Sequence, residues 1–125
     1  MTPQRSGGRR RERGAATVLT LAFLGVLVLV GAALGVVAAM VVAHRTAQSA
    51  ADLAALAAAQ SLVDGRDACG AAASVANDNG AVLTGCAVDG REVRVTLLVA
   101  GPRWLGQPAD LVAEARAGPV GGAPP

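Results

Sequence analysis

The 125-residue chain is 53% hydrophobic and only 16% charged, with a formal net charge of +2, one Phe, one Trp, no Tyr and one His. A single histidine and two cysteines are too few for a His- or Cys-rich metal centre, and the near-absence of aromatic rings leaves nothing on which bases would stack. Neither a metalloenzyme nor a nucleic-acid module is indicated, and no cofactor is expected.

Met1–Arg13 is rich in arginine and glycine and has no apolar periodicity, so residues 1–14 are predicted to be a disordered basic tail. The next 30 residues, Gly14–Ala43, contain no ionisable side chain. A hydrocarbon core about 30 Å thick needs roughly 20 apolar residues as a helix, so residues 15–43 suffice to cross it. A secretory signal would also place positive charge before an apolar run. Its apolar core is only about 7–15 residues, however, and length favours an uncleaved anchor. Arg5, Arg9, Arg10, Arg11 and Arg13 against Glu12 give +4 before the span, whereas six arginines and eight acids give −2 after it. The bias predicts a single-pass protein of the cytoplasmic membrane, its N-terminus in the cytoplasm and its C-terminal part outside. Anionic lipid headgroups account for the arginine cluster.

Nothing breaks the helix at the far membrane face. Ala50, Leu53, Ala54, Leu56, Ala57 and Ala58 recur at helical spacing with Gln48, Asp52 and Gln60 between them, and Asp64-Gly65 supplies a stop. Residues 44–63 are therefore expected to continue the helix beyond the membrane, with Asp52 on a solvated polar face. A small α+β ectodomain is expected over 64–117. Asp67–Asn79 reads as a short helix with Asn79-Gly80 as its C-cap. Ala81–Val88 and Glu92–Ala100 flank Asp89-Gly90, a strong hairpin signal, and Val93, Val95, Leu97 and Val99 alternate as one apolar face. Leu111–Ala117 alternates in the same way and reads as a third strand, with a short helix as the competing assignment. Trp104 is expected to plug this small core, because the membrane is expected to lie far away along the helix. Residues 118–125 are expected to be a disordered tail. The predicted class is thus a membrane-anchored α+β protein: one long N-terminal helix, a short helix and a small antiparallel meander.

Cys69 and Cys86 both fall in the part assigned to the outside, and their separation suits a disulfide better than a metal site. Closing such a loop contributes about 3 kcal/mol, mainly by restricting the unfolded chain. Two reduced structural cysteines are the alternative, which an extracytoplasmic location disfavours. Gly31, Gly35 and Ala39 make a small-residue line at i, i+4 and i+8, along which two membrane helices can pack closely. No nucleophile has a base partner: His44 is expected at the membrane interface, and Asp64, Asp67 and Asp78 suit helix capping better than a calcium loop.

Three features coincide: the Arg13-Gly14-Ala15-Ala16-Thr17-Val18 opening of the apolar run, the Gln48–Ala59 segment QSAADLAALAAA, and a short ectodomain closing on Ala115-Arg116-Ala117-Gly118-Pro119. Together they resemble the TadE/TadG-like proteins of tight-adherence (Flp) pilus systems, and most closely the helicase/secretion neighbourhood TadE-like group. The resemblance implies a pilin-like, non-catalytic envelope protein of a pilus or secretion assembly. Its implied partners are membrane lipid, other TadE- or pilin-like subunits, a secretion platform and a second copy of itself, with no nucleic acid. In pilin-like members a peptidase cuts after a glycine and a glutamate occupies the fifth mature position. The resemblance makes Gly14 the candidate processing site, and Leu19 then stands where that glutamate would be. A membrane-tethered regulatory or ligand-binding subunit and a cleaved secreted protein are the rival readings.

Overall fold

The computed structural model describes residues 8–103, 106 and 110–120. The element order is α1 (Gly8–Val63), α2 (Ala68–Asp78), β1 (Ala81–Asp89), β2 (Glu92–Val99) and β3 (Leu111–Ala117). By contacts the chain divides into two units, Met1–Ala38 and Ala39–Pro125.

The first unit is the N-terminal part of α1. It begins at Gly8, before the expected start at Ala15, so residues 8–14 are helical rather than a disordered tail. Arginine and glutamate are good helix formers and no proline intervenes, so the backbone ladder continues past the last apolar residue. The side chains from Val18 to Leu34 are exposed. Thr17 and Thr20 donate their hydroxyls back to the carbonyls of Arg13 and Ala16 at 2.9 and 2.8 Å, which removes two free donors from an apolar surface. This helix is long and apolar enough to cross a membrane.

The second unit is two helices against one face of a three-stranded antiparallel sheet of order β1-β2-β3. The hairpin turn places Gly90 at φ 59°, Gly65 at φ 71° follows the end of α1, and Asn79 caps α2 ahead of Gly80 at φ 71°. These are left-handed conformations that glycine adopts without penalty. The paired rows Leu83–Leu97–Ala113, Cys86–Val95–Ala115 and Val88–Val93–Ala117 form the inner face. Against it lie Ala47, Ala50, Ala51, Ala54, Ala55 and Ala58 of α1 and Ala68, Ala72 and Ala76 of α2, all buried. Residues 44–63 are therefore not a projecting spacer ahead of the domain. They are one wall of its core, and the folded domain begins before residue 64.

Of the seventeen buried core residues among those described, thirteen are alanine. Small side chains bring helix backbones close to the sheet and cost little side-chain entropy on folding, but each buries little apolar area. Such a core has no room for growth. We predict that Ala51→Leu and Ala54→Leu each destabilise the domain by about 1–3 kcal/mol through overpacking. Leu53→Ala, on the exposed face of the same helix, should change stability by less than about 0.5 kcal/mol. Thermal unfolding of the detergent-solubilised protein measures both.

Candidate functional site

Cys69 on α2 and Cys86 on β1 are joined by a disulfide with a Cα–Cα separation of 5.9 Å. Simple alternation along β1 would aim Ala81, Leu83, Gly85 and Ala87 inward and Cys86 outward. The pairing instead skips Thr84: Leu83 is opposite Leu97, and Gly85 is opposite Thr96. This bulge shifts the phase by one residue and turns Cys86 and Val88 to the inner face. Thr84 donates its hydroxyl to the Thr96 carbonyl at 3.2 Å, and a Cβ on Gly85 would already lie 3.4 Å from the Thr96 side chain. At the other end of the bridge, Asp67 caps α2 by accepting from Gly70 N–H at 3.1 Å. Its carboxylate lies where a side chain at residue 70 would have to be, so glycine there permits the cap.

Along α1, Gly14, Gly31 and Gly35 are exposed, and a Cβ added at any of them would meet nothing within 4 Å. Ala39, the third member of the line, is half-buried by the protein itself. His44 and Leu19 are exposed on the same helix. The charged and amide residues beyond His44 do more than face water. Gln48 Nε2 donates to Asp52 Oδ1 at 3.2 Å and to the Glu114 carbonyl of β3 at 3.0 Å. Asp52 thus orients an amide that occupies a carbonyl of an edge strand, a use of Gln48 that the sequence reading missed. The Gln48–Asp52 pair at i, i+4 is visible in the sequence; its link to β3 is not. On the side of this part of the helix away from its buried alanines, Leu53, Leu56 and Val63 remain 47%, 61% and 70% exposed.

The outer face of the sheet is mixed. Val82, Leu98 and Val112 form one apolar row, while Arg94 and Arg116 stand directly opposite each other on β2 and β3. Like charges in that position repel. Glu92 lies diagonal to Arg116 and bridges it at 3.6 Å, though with both side chains at least half exposed the pair contributes little. The depressions at the hairpin end are open and lined largely by charged residues, among them Asp89, Glu92, Arg94 and Arg116. Among the described residues no enclosed apolar pocket is found, nor any group of three or more His, Cys, Asp or Glu placed to hold a metal ion. Asp64 accepts from Gln60 at 3.5 Å and Asp78 ends α2. Trp104 lies outside the described residues.

Residues 14–61 match the family model described as putative Flp pilus-assembly TadE/G-like proteins. The match covers the apolar run and the alanine face of α1, and stops before α2 and the sheet. No curated protein and no solved structure matches the chain.

The bulge makes a direct prediction. Deleting Thr84 removes the extra residue and should leave Leu83 and Cys86 inward in a regular ladder with the bridge intact, whereas inserting one alanine between Gly85 and Cys86 should turn Cys86 outward and leave both thiols open to alkylation without reductant. Thr84→Val, which keeps the residue count, should retain the bridge. Mass spectrometry after alkylation distinguishes them, and an insertion variant that still needs reduction would contradict this account.

Proposed function

We propose that this chain is a non-catalytic, single-pass TadE/TadG-like subunit of a tight-adherence-type pilus or secretion assembly, working by helix packing and domain contacts. The observation that carries the reading is the family match over α1, the element left with unpartnered apolar surface at both of its ends. In this reading the arginine-rich N-terminus stays in the cytoplasm and the disulfide-bridged domain lies outside the cytoplasmic membrane. Membrane lipid surrounds residues 15–43.

Two surfaces suit other subunits. Gly31 and Gly35 leave a groove open on the membrane segment, where a neighbouring helix can approach backbone to backbone. Leu53, Leu56 and Val63 recur at near-heptad spacing on the domain's outer helical face, which suits a second helix from a pilin-like subunit or another copy of this chain. The rival reading as a ligand-binding subunit asks for an enclosed apolar pocket. The depressions at the hairpin end are open and largely charged, and the one beside Leu56 and Val63 is open as well, which favours assembly over ligand capture. Gly14 is the proposed processing site if a prepilin-type peptidase acts on this chain, with Leu19 then at the fifth mature position.

Intact mass of the membrane-extracted protein tests the anchor. We expect the full-length mass, with two thiols alkylated only after reduction. Loss of Met1–Gly14 would instead establish prepilin-type processing, and loss of everything through about Ala43 would overturn the membrane-assembly reading. Replacing Gly31 and Gly35 together with leucine should weaken crosslinking to a partner in the membrane; undiminished crosslinking would remove the glycine groove from the account.

A further inference from the structure

The outer face of the sheet is ordered by charge, row by row. Pairing puts Asp89 opposite Glu92 at the hairpin end, and Arg94 opposite Arg116 one row on. The third row holds Glu114 opposite Thr96, and the fourth is the apolar row Val82–Leu98–Val112. Acid, base, acid and apolar rows therefore follow one another along the strands. Successive rows on one face are two residues apart, which is about 6.6–6.8 Å at roughly 3.3–3.4 Å per residue.

This order does not serve the sheet itself. Directly opposed side chains are the nearest neighbours across a ladder, and like charges there are destabilising. Both of the first two rows carry like charges, although one acid in place of an arginine would make the second row attractive. The diagonal pair Glu92–Arg116 recovers little, being 3.6 Å long and exposed, and it is the only salt bridge among the described residues. In the fourth row Val82 and Val112 are left 62% and 60% exposed. Local arrangements that work against the fold without a structural return concentrate at functional surfaces.

A partner that fits must repeat the alternation with opposite sign. A surface of one sign, such as nucleic acid or anionic lipid, is drawn to the arginines and repelled by the acid rows on either side of them. A second copy fits poorly as well. Laid parallel, like rows face like rows; laid antiparallel, no register sets acid against base over more than two rows. An extended polypeptide does match, because its same-face side chains recur at the same two-residue spacing. We infer that the outer face of the sheet docks a β-strand of a partner protein, laid along its strands, with basic, acidic, basic and apolar side chains meeting the four rows in turn. The partner's acid has a seat: Ala87, opposite Arg94, is small, and a depression of about 220 Å³ lies among Ala87, Asp89, Glu92, Arg94 and Arg116. This surface is separate from the two helical ones, uses the second unit alone, and does not depend on residues 15–43 crossing a membrane.

The test is fluorescence anisotropy with labelled peptides on the full-length, detergent-solubilised protein. The probe is Thr-Lys-Thr-Glu-Thr-Lys-Thr-Val-Thr. One control has the same composition with the alternation broken, Thr-Glu-Thr-Lys-Thr-Lys-Thr-Val-Thr, and the other has glutamate at all three charged positions. We expect saturable binding of the probe at low salt, severalfold weaker binding of either control, and a severalfold loss as salt is raised. Arg94→Glu should bind the probe severalfold more weakly while unfolding at no lower a temperature, because it replaces a repelling pair by an attracting one. Equal affinity for the probe and the broken pattern, no saturable binding of any peptide, or tighter binding of the all-acidic one would overturn the docking. A lower unfolding temperature in Arg94→Glu would overturn it too, by assigning the arginine row to stability. So would self-association at low salt that Arg94→Glu abolishes, which would seat a second copy on this face.

Discussion

Alanine at the buried positions of both helices is the constraint on which the rest of this structure depends. A sheet face only three strands wide is covered by two helices because neither presents a large side chain to it. The bulk in the core comes from the sheet, where Val93, Val95 and Leu97 of the central strand are completely buried. Helices lined by leucine would stand farther from the sheet, and its edges would then be harder to cover. Close approach also lets a side chain as short as Gln48 reach a carbonyl on β3 and occupy part of an otherwise open edge.

A core of this kind is thin, and the disulfide compensates for it. The bridge joins α2 to β1 within the small domain, and the bulge at Thr84 makes it possible by setting the phase of the strand. Asp67 and Gly70 fix the first turn of α2 at the bridge's other end. Three local features, a cap, a bulge and a cross-link, therefore act on one contact. Each is modest alone: a cap is worth about 1 kcal/mol and a bridge of this loop size about 3 kcal/mol.

Much of this was legible in the sequence where glycine, asparagine and aspartate punctuate it. The end of α1, both caps of α2, the Asp89-Gly90 hairpin and the alternating face of β2 lie where the residue chemistry points. Three things were not legible, each for a physical reason. Alanine is equally at home on a solvated helix and in a tight core, so the stripe from Ala47 to Ala58 reads as a projecting rod until the sheet is seen against it. Leu83-Thr84-Gly85-Cys86 carries no sign of its bulge, because a phase shift is a property of pairing with Thr96 and Leu97 and not of one strand. The basic segment at 8–13 looks like a tail by composition, yet its residues favour helix once a helix continues from them.

α1 is one helix written for two environments. From Val18 to Val42 apolar residues occupy every face, a pattern long and apolar enough to cross a membrane. From Ala47 onward the pattern becomes one-sided: alanine toward the sheet, Gln48, Asp52 and Gln60 around it, and Leu53, Leu56 and Val63 left exposed. The change of pattern coincides with His44-Arg45, the first ionisable residues after the run. The family match spans both patterns and ends with the helix, not with the domain. What the chain shares with that family model is therefore a single helix, apolar on every face along one stretch and packed by alanine against a sheet along the next. The sheet has only to present an apolar inner face at the right phase, which many sequences can do. The helix has to switch pattern within one continuous element, which far fewer sequences can do.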